Sequence, residues 1–332
     1  MSASSPVDTP IAGSDFDAVP IIDFAGMRHG DAEAKQRVAA AFKHACTQVG
    51  FFYLASHGVP ETAVADVFAL AQRFFALPLD AKMRWHLSGS AHACGFVALH
   101  GERGDLHEAI DFAAEDRQID GRFCHGDFRQ ASNLWPDDIP EFRDIVTRYS
   151  DALRRLTTQL FGAFALALDL PEDYFGPMTD RPISLLRLLH YPSQANPKAD
   201  GFIGVQPHTD HECFTILCQD DVGGLQVRNR AGNWVAVPRV PGTFVVNIGD
   251  QLARWSNDRF ASSLHRVINV SGRERYSVPF FVGANEDAVI AALPSCVDAA
   301  NPARYEPIVA GDYTLELIRQ GYRSAQDVPQ DD

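Results

Sequence analysis

Residues 208–250 read HTDHECFTILCQDDVGGLQVRNRAGNWVAVPRVPGTFVVNIGD. The apolar runs FTILCQ, GLQVRN, NWVAV and TFVVNI are separated by Gly, Pro, Asn and Asp, the pattern of short strands joined by turns. LQVRNRAGNWVAV predicts a hairpin turning at Asn229–Gly232. Outward from this stretch, LLRLLHY (185–191) precedes it, and LHRVINV (264–270) and RYSVPFFV (275–282) follow. So many short strands predict an antiparallel structure closed on itself or sandwiched, such as a jelly roll (a double-stranded β-helix).

The upstream half has a helical texture. Val38, Phe42, Cys46 and Val49 recur at three- and four-residue intervals after Asp31, with Gly50 placed to end the helix. Phe51–Leu54 is a compact aromatic strand, and Val19–Phe24 a shorter one. Pro60 suits the first turn of a second helix, and a third runs from near Pro140 to about Leu168, with Pro171 just beyond. Helices first and strands second predict an α+β fold. The expected division is a loose tail over 1–17, a helix-rich region over 18–180, a jelly-roll core over 181–295 and a C-terminal helical segment over 296–332.

Composition excludes more than it selects. A formal net charge of -14 repels phosphate backbones and anionic lipid, so neither nucleic acid nor a membrane surface is an expected partner. The longest apolar stretch, around Phe161–Leu168, falls far short of the ~20 residues that a bilayer span needs. No secretory signal opens the chain, and its 6 cysteines form no CxxC pair, so reduced thiols in the cytoplasm are expected.

The chemistry-bearing group is His208-Thr209-Asp210 followed by His265. Two imidazoles and one carboxylate on one face of iron(II) leave the opposite positions open for a chelating acid and dioxygen. On a strand edge, residues i and i+2 point the same way, so His208 and Asp210 could reach one ion. Spacing alone is weak support. His29-Gly30-Asp31 and His125-Gly126-Asp127 have the same form, and His86 lies as far beyond Asp31 as His265 lies beyond Asp210. Surroundings separate them: ten residues past His86 stands Phe96, but ten past His265 stands Arg275, with Ser277 beyond. A guanidinium grips a carboxylate with two hydrogen bonds, and a hydroxyl two residues along the strand can add a third.

These motifs, HTD…LHR…RYS, together with GFFYLASHGVP, RFFALPLDAK and YEPIVAGDY, resemble the iron(II)/2-oxoglutarate dioxygenases related to isopenicillin N synthase, over nearly the whole chain after residue 17. The resemblance implies that His208, Asp210 and His265 bind Fe(II), and that Arg275 and Ser277 hold the far carboxylate of 2-oxoglutarate. Tyr191 matches a position whose hydroxyl assists that co-substrate, although it also reads as a core tyrosine. Arg187 faces either an acidic substrate or a structural partner. The implied reaction consumes O2 and 2-oxoglutarate, releases succinate and CO2, and oxidises a small molecule, with hydroxylation the first expectation.

Three other readings share these residues. An oxidase of the isopenicillin N synthase type would use iron and dioxygen without 2-oxoglutarate. A catalytically silent jelly-roll binding protein would keep the fold, and a zinc hydrolase would need an acid–base group such as Glu212. His211, His190, Cys213 and Cys218 read as structural, Asn247 as a candidate lining residue, and Asp250 as the cap of a turn. The expected partner is a small molecule, with a carboxylate favoured if Arg187, Arg103 and Arg254 face it, and self-association is expected to be absent or weak.

Overall fold

The computed structural model describes residues 15–87, 94–99, 106–114, 133–193 and 203–317. In chain order the N-terminal part supplies β1 (Ile21–Asp23), α1 (Ala25–His29), α2 (Ala32–Gln48), β2 (Phe51–Ala55), α3 (Glu61–Phe75), α4 (Leu79–Met83), β3 (Phe96–Val97) and β4 (Glu108–Ala113). The long α5 (Phe142–Ala167) and short α6 (Gly176–Thr179) follow. Then come β5 (Ser184–Tyr191), β6 (Ile203–His208), β7 (Phe214–Gln219), β8 (Leu225–Arg228), β9 (Trp234–Ala236), β10 (Thr243–Ile248), α7 (Asp250–Trp255), β11 (His265–Ile268) and β12 (Arg275–Val282). The small pair β13 (Val289–Ile290) and β14 (Ile308–Val309) precedes a helical stretch over 310–317.

The strands form a jelly roll from an eight-stranded sheet, ordered β1-β2-β10-β7-β12-β5-β4-β3, and a four-stranded sheet, ordered β6-β11-β8-β9. Only the β1–β2 pairing is parallel in these two sheets. Four strands of the large sheet come from the N-terminal part of the chain. Of these, β3 and β4 have no counterpart among the expected elements. They are short, and in β4 the polar Glu108 and Asp111 mask the apolar signal.

The large sheet is covered on both faces. Phe52 and Leu54 of β2, Leu186 and Leu188 of β5, and Val278 and Phe280 of β12 pack outward with α2, α3 and α5 in one buried cluster. Phe51, Tyr53, Leu189 and Tyr191 point the other way and meet Leu225, Val227 and Val267 of the small sheet. Two-sided burial explains why FFYL is a continuous apolar run rather than an alternating one.

Local chemistry sets the element ends. The Asp31 carboxylate accepts from the Ala34 amide at 2.9 Å and caps α2, and Gly50 follows at φ 72°, the left-handed region that favours glycine. Pro60 stands one residue before the first turn of α3 rather than inside it. The β8–β9 hairpin turns where expected, with the Gly232 amide donating to Asn229 O at 3.0 Å. Phe16, assigned to the loose tail from composition, is buried, and its carbonyl accepts from Asn229 Nδ2 at 2.9 Å.

One ionic group lies behind the sheet. Lys82 Nζ donates to Glu108 Oε2 at 2.6 Å, and Glu108 Oε1 lies 2.8 Å from His190 Nδ1. Burial works against the Glu108 charge, but His190 and Lys82 outweigh it and hold the carboxyl below its ordinary range. Glu108→Ala would strand Lys82 in an apolar layer, a loss of about 3–5 kcal/mol. A chemical-denaturation midpoint matching wild type would show that Lys82 finds solvent instead.

Candidate active site

His208 ends β6 and His265 opens β11, and the two residues are directly opposed in the antiparallel register. Asp210 lies in the turn after β6, not on the strand, so the turn rather than strand periodicity aims its carboxylate. Its Oδ1 is 3.5 Å from His208 Nε2 and 3.6 Å from His265 Nε2, and one ligand atom from each residue lies within 4.8 Å of the others. His29, Asp31 and His86 form no such group among the described residues; His125 and Asp127 lie outside them.

The surroundings prepare each donor atom. His208 Nδ1 donates to Gln206 O at 2.7 Å, and His265 Nδ1 to Ser263 O at 3.1 Å. Carbonyls only accept, so both Nδ1 atoms carry the protons and both Nε2 lone pairs turn toward Asp210. Burial, with His208 beside it, pushes His265 down to about 4, which keeps it neutral near pH 7. Burial alone would raise Asp210, but His265, His208 and the Thr215 hydroxyl hold it well below the usual carboxylate range. Thr215 Oγ1 and Asn247 Nδ2 donate to its Oδ2 at 2.5 and 2.7 Å, and Oδ1 is the oxygen turned toward the imidazoles. Two imidazoles with their Nε2 atoms turned inward and an ionised carboxylate fit a divalent iron.

Asp250 ties the two halves of this group together. It opens α7 (Asp250–Trp255), where the sequence reading has it capping a turn, and no side-chain cap bond starts that helix. Instead its carboxylate accepts from Thr209 at 3.2 Å and Ser262 at 2.6 Å, with His211 Nδ1 at 3.5 Å, while its amide donates to Asp210 O at 2.8 Å. The loop carrying Asp210 and the loop leading to His265 are thus pinned to one residue.

Arg275 has no exposed surface. Nε donates to Gly223 O at 2.7 Å, Nη1 to Ser277 Oγ at 3.1 Å and Nη2 to Gln219 Oε1 at 3.2 Å. The Tyr191 ring lies 4.6 Å from its Cζ. Arg275, Ser277, Gln219 and Tyr191 all point between the sheets, because directly paired residues share a face. Every acceptor that hydrogen-bonds the guanidinium is neutral, and the Asp220 carboxylate acts on it only through space. Gln219 and Gly223 were missed as site residues; two-residue periodicity in FTILCQ was the available signal for Gln219.

Arg187 points into the same space but is already engaged. Nε and Nη2 donate to Asp111 Oδ1 and Oδ2, both at 2.7 Å, and the pairing holds the guanidinium charged despite burial. Asp111 gave no signal in the sequence, since only the β4–β5 register places it opposite Arg187. Arg254 is turned elsewhere, to Glu306 O at 2.6 Å and the rings of Tyr305 and Tyr313. Arg103 lies outside the described residues.

A jelly roll that carries two histidines on its small sheet with an aspartate beside them, and a buried arginine on the inner face of its large sheet, is the frame of a non-haem iron oxygenase that takes an acidic co-substrate. Similarity to known proteins specifies which one. The 2OG-Fe(II) oxygenase superfamily matches residues 182–284, and the non-haem dioxygenase N-terminal region, described from morphine synthesis, matches 19–138. The chain is 36% identical over 320 residues to the 2-oxoglutarate-Fe(II) type oxidoreductase hxnY of Emericella nidulans, covering 93% of this chain and 92% of that protein. It is 35% identical to a homoarginine-6-hydroxylase of Glycine max, covering 87% and 92%. A full-length Neurospora crassa protein, solved in complex with alpha-KG and 5-formyluracil, superposes with a TM-score of 0.83 at 29% identity, over 93% of this chain and 99% of that one. The chain belongs to the 2OG-Fe(II) oxygenase superfamily and is an oxidoreductase that uses Fe(II), 2-oxoglutarate and O2. Among the described residues no helix is long and apolar enough to cross a membrane.

Asp250→Ala would free both loops and weaken Fe(II) affinity about 10–100-fold, the usual effect of losing a support around a metal ligand. Equilibrium dialysis against a chelator measures this, and undiminished affinity would remove Asp250 from that role.

Proposed function

We propose that His208, Asp210 and His265 hold the iron, and that Arg275 with Ser277 takes the far carboxylate of 2-oxoglutarate. The observation carrying this reading is the Arg275 guanidinium, wholly buried yet hydrogen-bonded only to neutral acceptors. Iron with 2-oxoglutarate and O2 supplies oxidative decarboxylation to succinate and CO2, coupled to oxidation of a substrate C–H bond. The protein's own contribution is positioning. Thr215 and Asn247 hold Oδ2 of Asp210, backbone carbonyls set the histidine tautomers, and Tyr191 supports Arg275 through its ring face. The ring contact supports a role for Tyr191 as a prop of Arg275 rather than through its hydroxyl.

Hydroxylation of a small molecule is the outcome we infer, in line with the homoarginine hydroxylases among the relatives. A Neurospora crassa protein in complex with thymine and a rice dioxygenase for auxin oxidation support a small molecule as the substrate. A cytoplasmic monomer or weak oligomer fits the described cysteines, all free and buried.

Succinate release by the Fe(II)-loaded protein should depend wholly on added 2-oxoglutarate; release without it would favour the oxidase reading. Asp210→Ala should abolish both iron retention and turnover, and an active, iron-loaded variant would overturn the triad. Arg275→Ala should raise the KM for 2-oxoglutarate at least about 30-fold, from the ~2 kcal/mol lower bound for truncating one member of a buried charged pair.

A further inference from the structure

The turn between β7 and β8, residues 220–224, reads DDVGG and reaches the Arg275 guanidinium from outside the strands. Its first residue is tied to β12 twice. The Asp220 amide donates to Tyr276 O at 3.2 Å, and the Tyr276 amide donates back to Asp220 Oδ2 at 2.5 Å. The other carboxylate oxygen, Oδ1, accepts from the Val222 amide at 3.0 Å, which folds the turn back on itself. Three residues past Asp220, the Gly223 carbonyl accepts from Arg275 Nε at 2.7 Å. Gly224 O then accepts from the Ile268 amide of β11 at 2.9 Å. Gly223 and Gly224 hold φ of 81° and 100°, the region that favours glycine. The turn thus links the large sheet, through β7 and β12, to the small one, through β8 and β11.

A guanidinium has five N–H donors, and three of those on Arg275 are taken, by Gly223, Ser277 and Gln219. The two that remain lie one on each terminal nitrogen, which suits a bidentate carboxylate. Their direction depends on how the guanidinium plane is held. Ser277 and Gln219 hold it with side-chain atoms that can rotate, but Gly223 holds Nε with a main-chain oxygen whose place is set by the turn. Apart from that bond, Asp220 supplies every hydrogen bond between turn and β12 among the described residues. The charge of Asp220 works in the opposite sense, since its carboxylate acts on Arg275 through space and competes with an anion.

We propose that Asp220 is a positioning residue for the co-substrate. By anchoring the 220–224 turn to β12 it places Gly223 O, and through it the Arg275 guanidinium, for the far carboxylate of 2-oxoglutarate. The inference rests on the assignment of Arg275 to that carboxylate. It requires that loss of the Asp220 carboxylate weaken anion binding, although removing a negative charge near a cation would by itself strengthen it.

The test combines succinate release with anaerobic equilibrium dialysis of 2-oxoglutarate, using the full Fe(II)-loaded chain. Asp220→Asn keeps one acceptor oxygen and loses the other, so the KM for 2-oxoglutarate should rise about fivefold or more, the scale of a lost hydrogen bond. Iron affinity, and kcat at saturating 2-oxoglutarate, should hold. Asp221→Asn removes a charge from the same turn, at an exposed carboxylate 3.6 Å from Arg273, and should leave the KM as it is. 2-Oxopentanoate has the same chelating end but no far carboxylate, so wild type and Asp220→Asn should bind it equally. Gly223→Ala meets no atom within 4 Å yet strains the positive φ, and should raise the KM for 2-oxoglutarate even if Asp220→Asn folds poorly. A lower KM in Asp220→Asn would show that its charge outweighs its anchoring, and would overturn the proposal. So would equal losses for 2-oxoglutarate and 2-oxopentanoate, the same KM rise in Asp221→Asn, or a fall in kcat and iron affinity with KM unchanged. Arg275→Ala is measured alongside. If it binds 2-oxoglutarate as wild type does, the co-substrate reading falls; if it loses affinity while Asp220→Asn and Gly223→Ala keep theirs, only the positioning inference falls.

Discussion

A guanidinium that cannot shed its charge lies between two sheets with no exposed surface, and the interior is arranged around that fact. Arg275 is satisfied by a backbone carbonyl, a hydroxyl, an amide oxygen and a tyrosine face, none of which carries a negative charge. Neutral dipoles solvate the cation well enough to keep it buried while leaving an anion favoured beside it. Replacing Gln219 by a carboxylate would pair the cation within the protein and leave no charge for an anion to meet.

That arrangement requires a rigid sheet, and the rigidity comes from its other face. The strands bearing Arg275, Ser277, Tyr191 and Arg187 turn their alternate residues toward α3 and α5, where Tyr276, Val278, Leu186 and Leu188 are buried. His190 follows the same logic: it stacks between Phe75 and Tyr276 and meets Glu108, one residue from Tyr191 but on the opposite face. A one-residue slip of β5 would exchange the ionic residues of the two faces, so packing against the helices fixes the register that builds the site. Helical region and barrel are one mechanical unit in this respect, with β1 to β4 woven into the large sheet.

Much of this was legible in the chain. The strands of the core announced themselves because their ends carry Gly, Pro and Asn, and α2 and α5 because their apolar residues keep helical spacing. The residues of the triad and Arg275 could be picked out because strand periodicity put Arg275 and Ser277 on one side, and because the competing H-x-D pairs lacked that companion. What stayed hidden were contacts set by register between distant strands. Asp111 meets Arg187, and Gln219 meets Arg275, only after the sheet order is known. Asp210 was placed on a strand because periodicity cannot distinguish a strand end from the turn that follows it.

The same distinction explains why reaction class is easier to read than substrate. Iron and 2-oxoglutarate impose fixed demands: three ligand atoms around one point and one buried cation at a set remove. Those demands fall on two short motifs and so leave a trace in sequence. A substrate pocket is specified by whether a charge is open or already paired, and that depends on partners from other strands. Arg187 and Arg275 are the same residue type on neighbouring strands of one inner face, and nothing in their immediate sequence ranks one above the other as an anion receptor. The difference between them lies in Asp111, contributed by a strand that begins far upstream. A single substitution of Asp111 on β4 would therefore open the second guanidinium without touching the groups around Arg275.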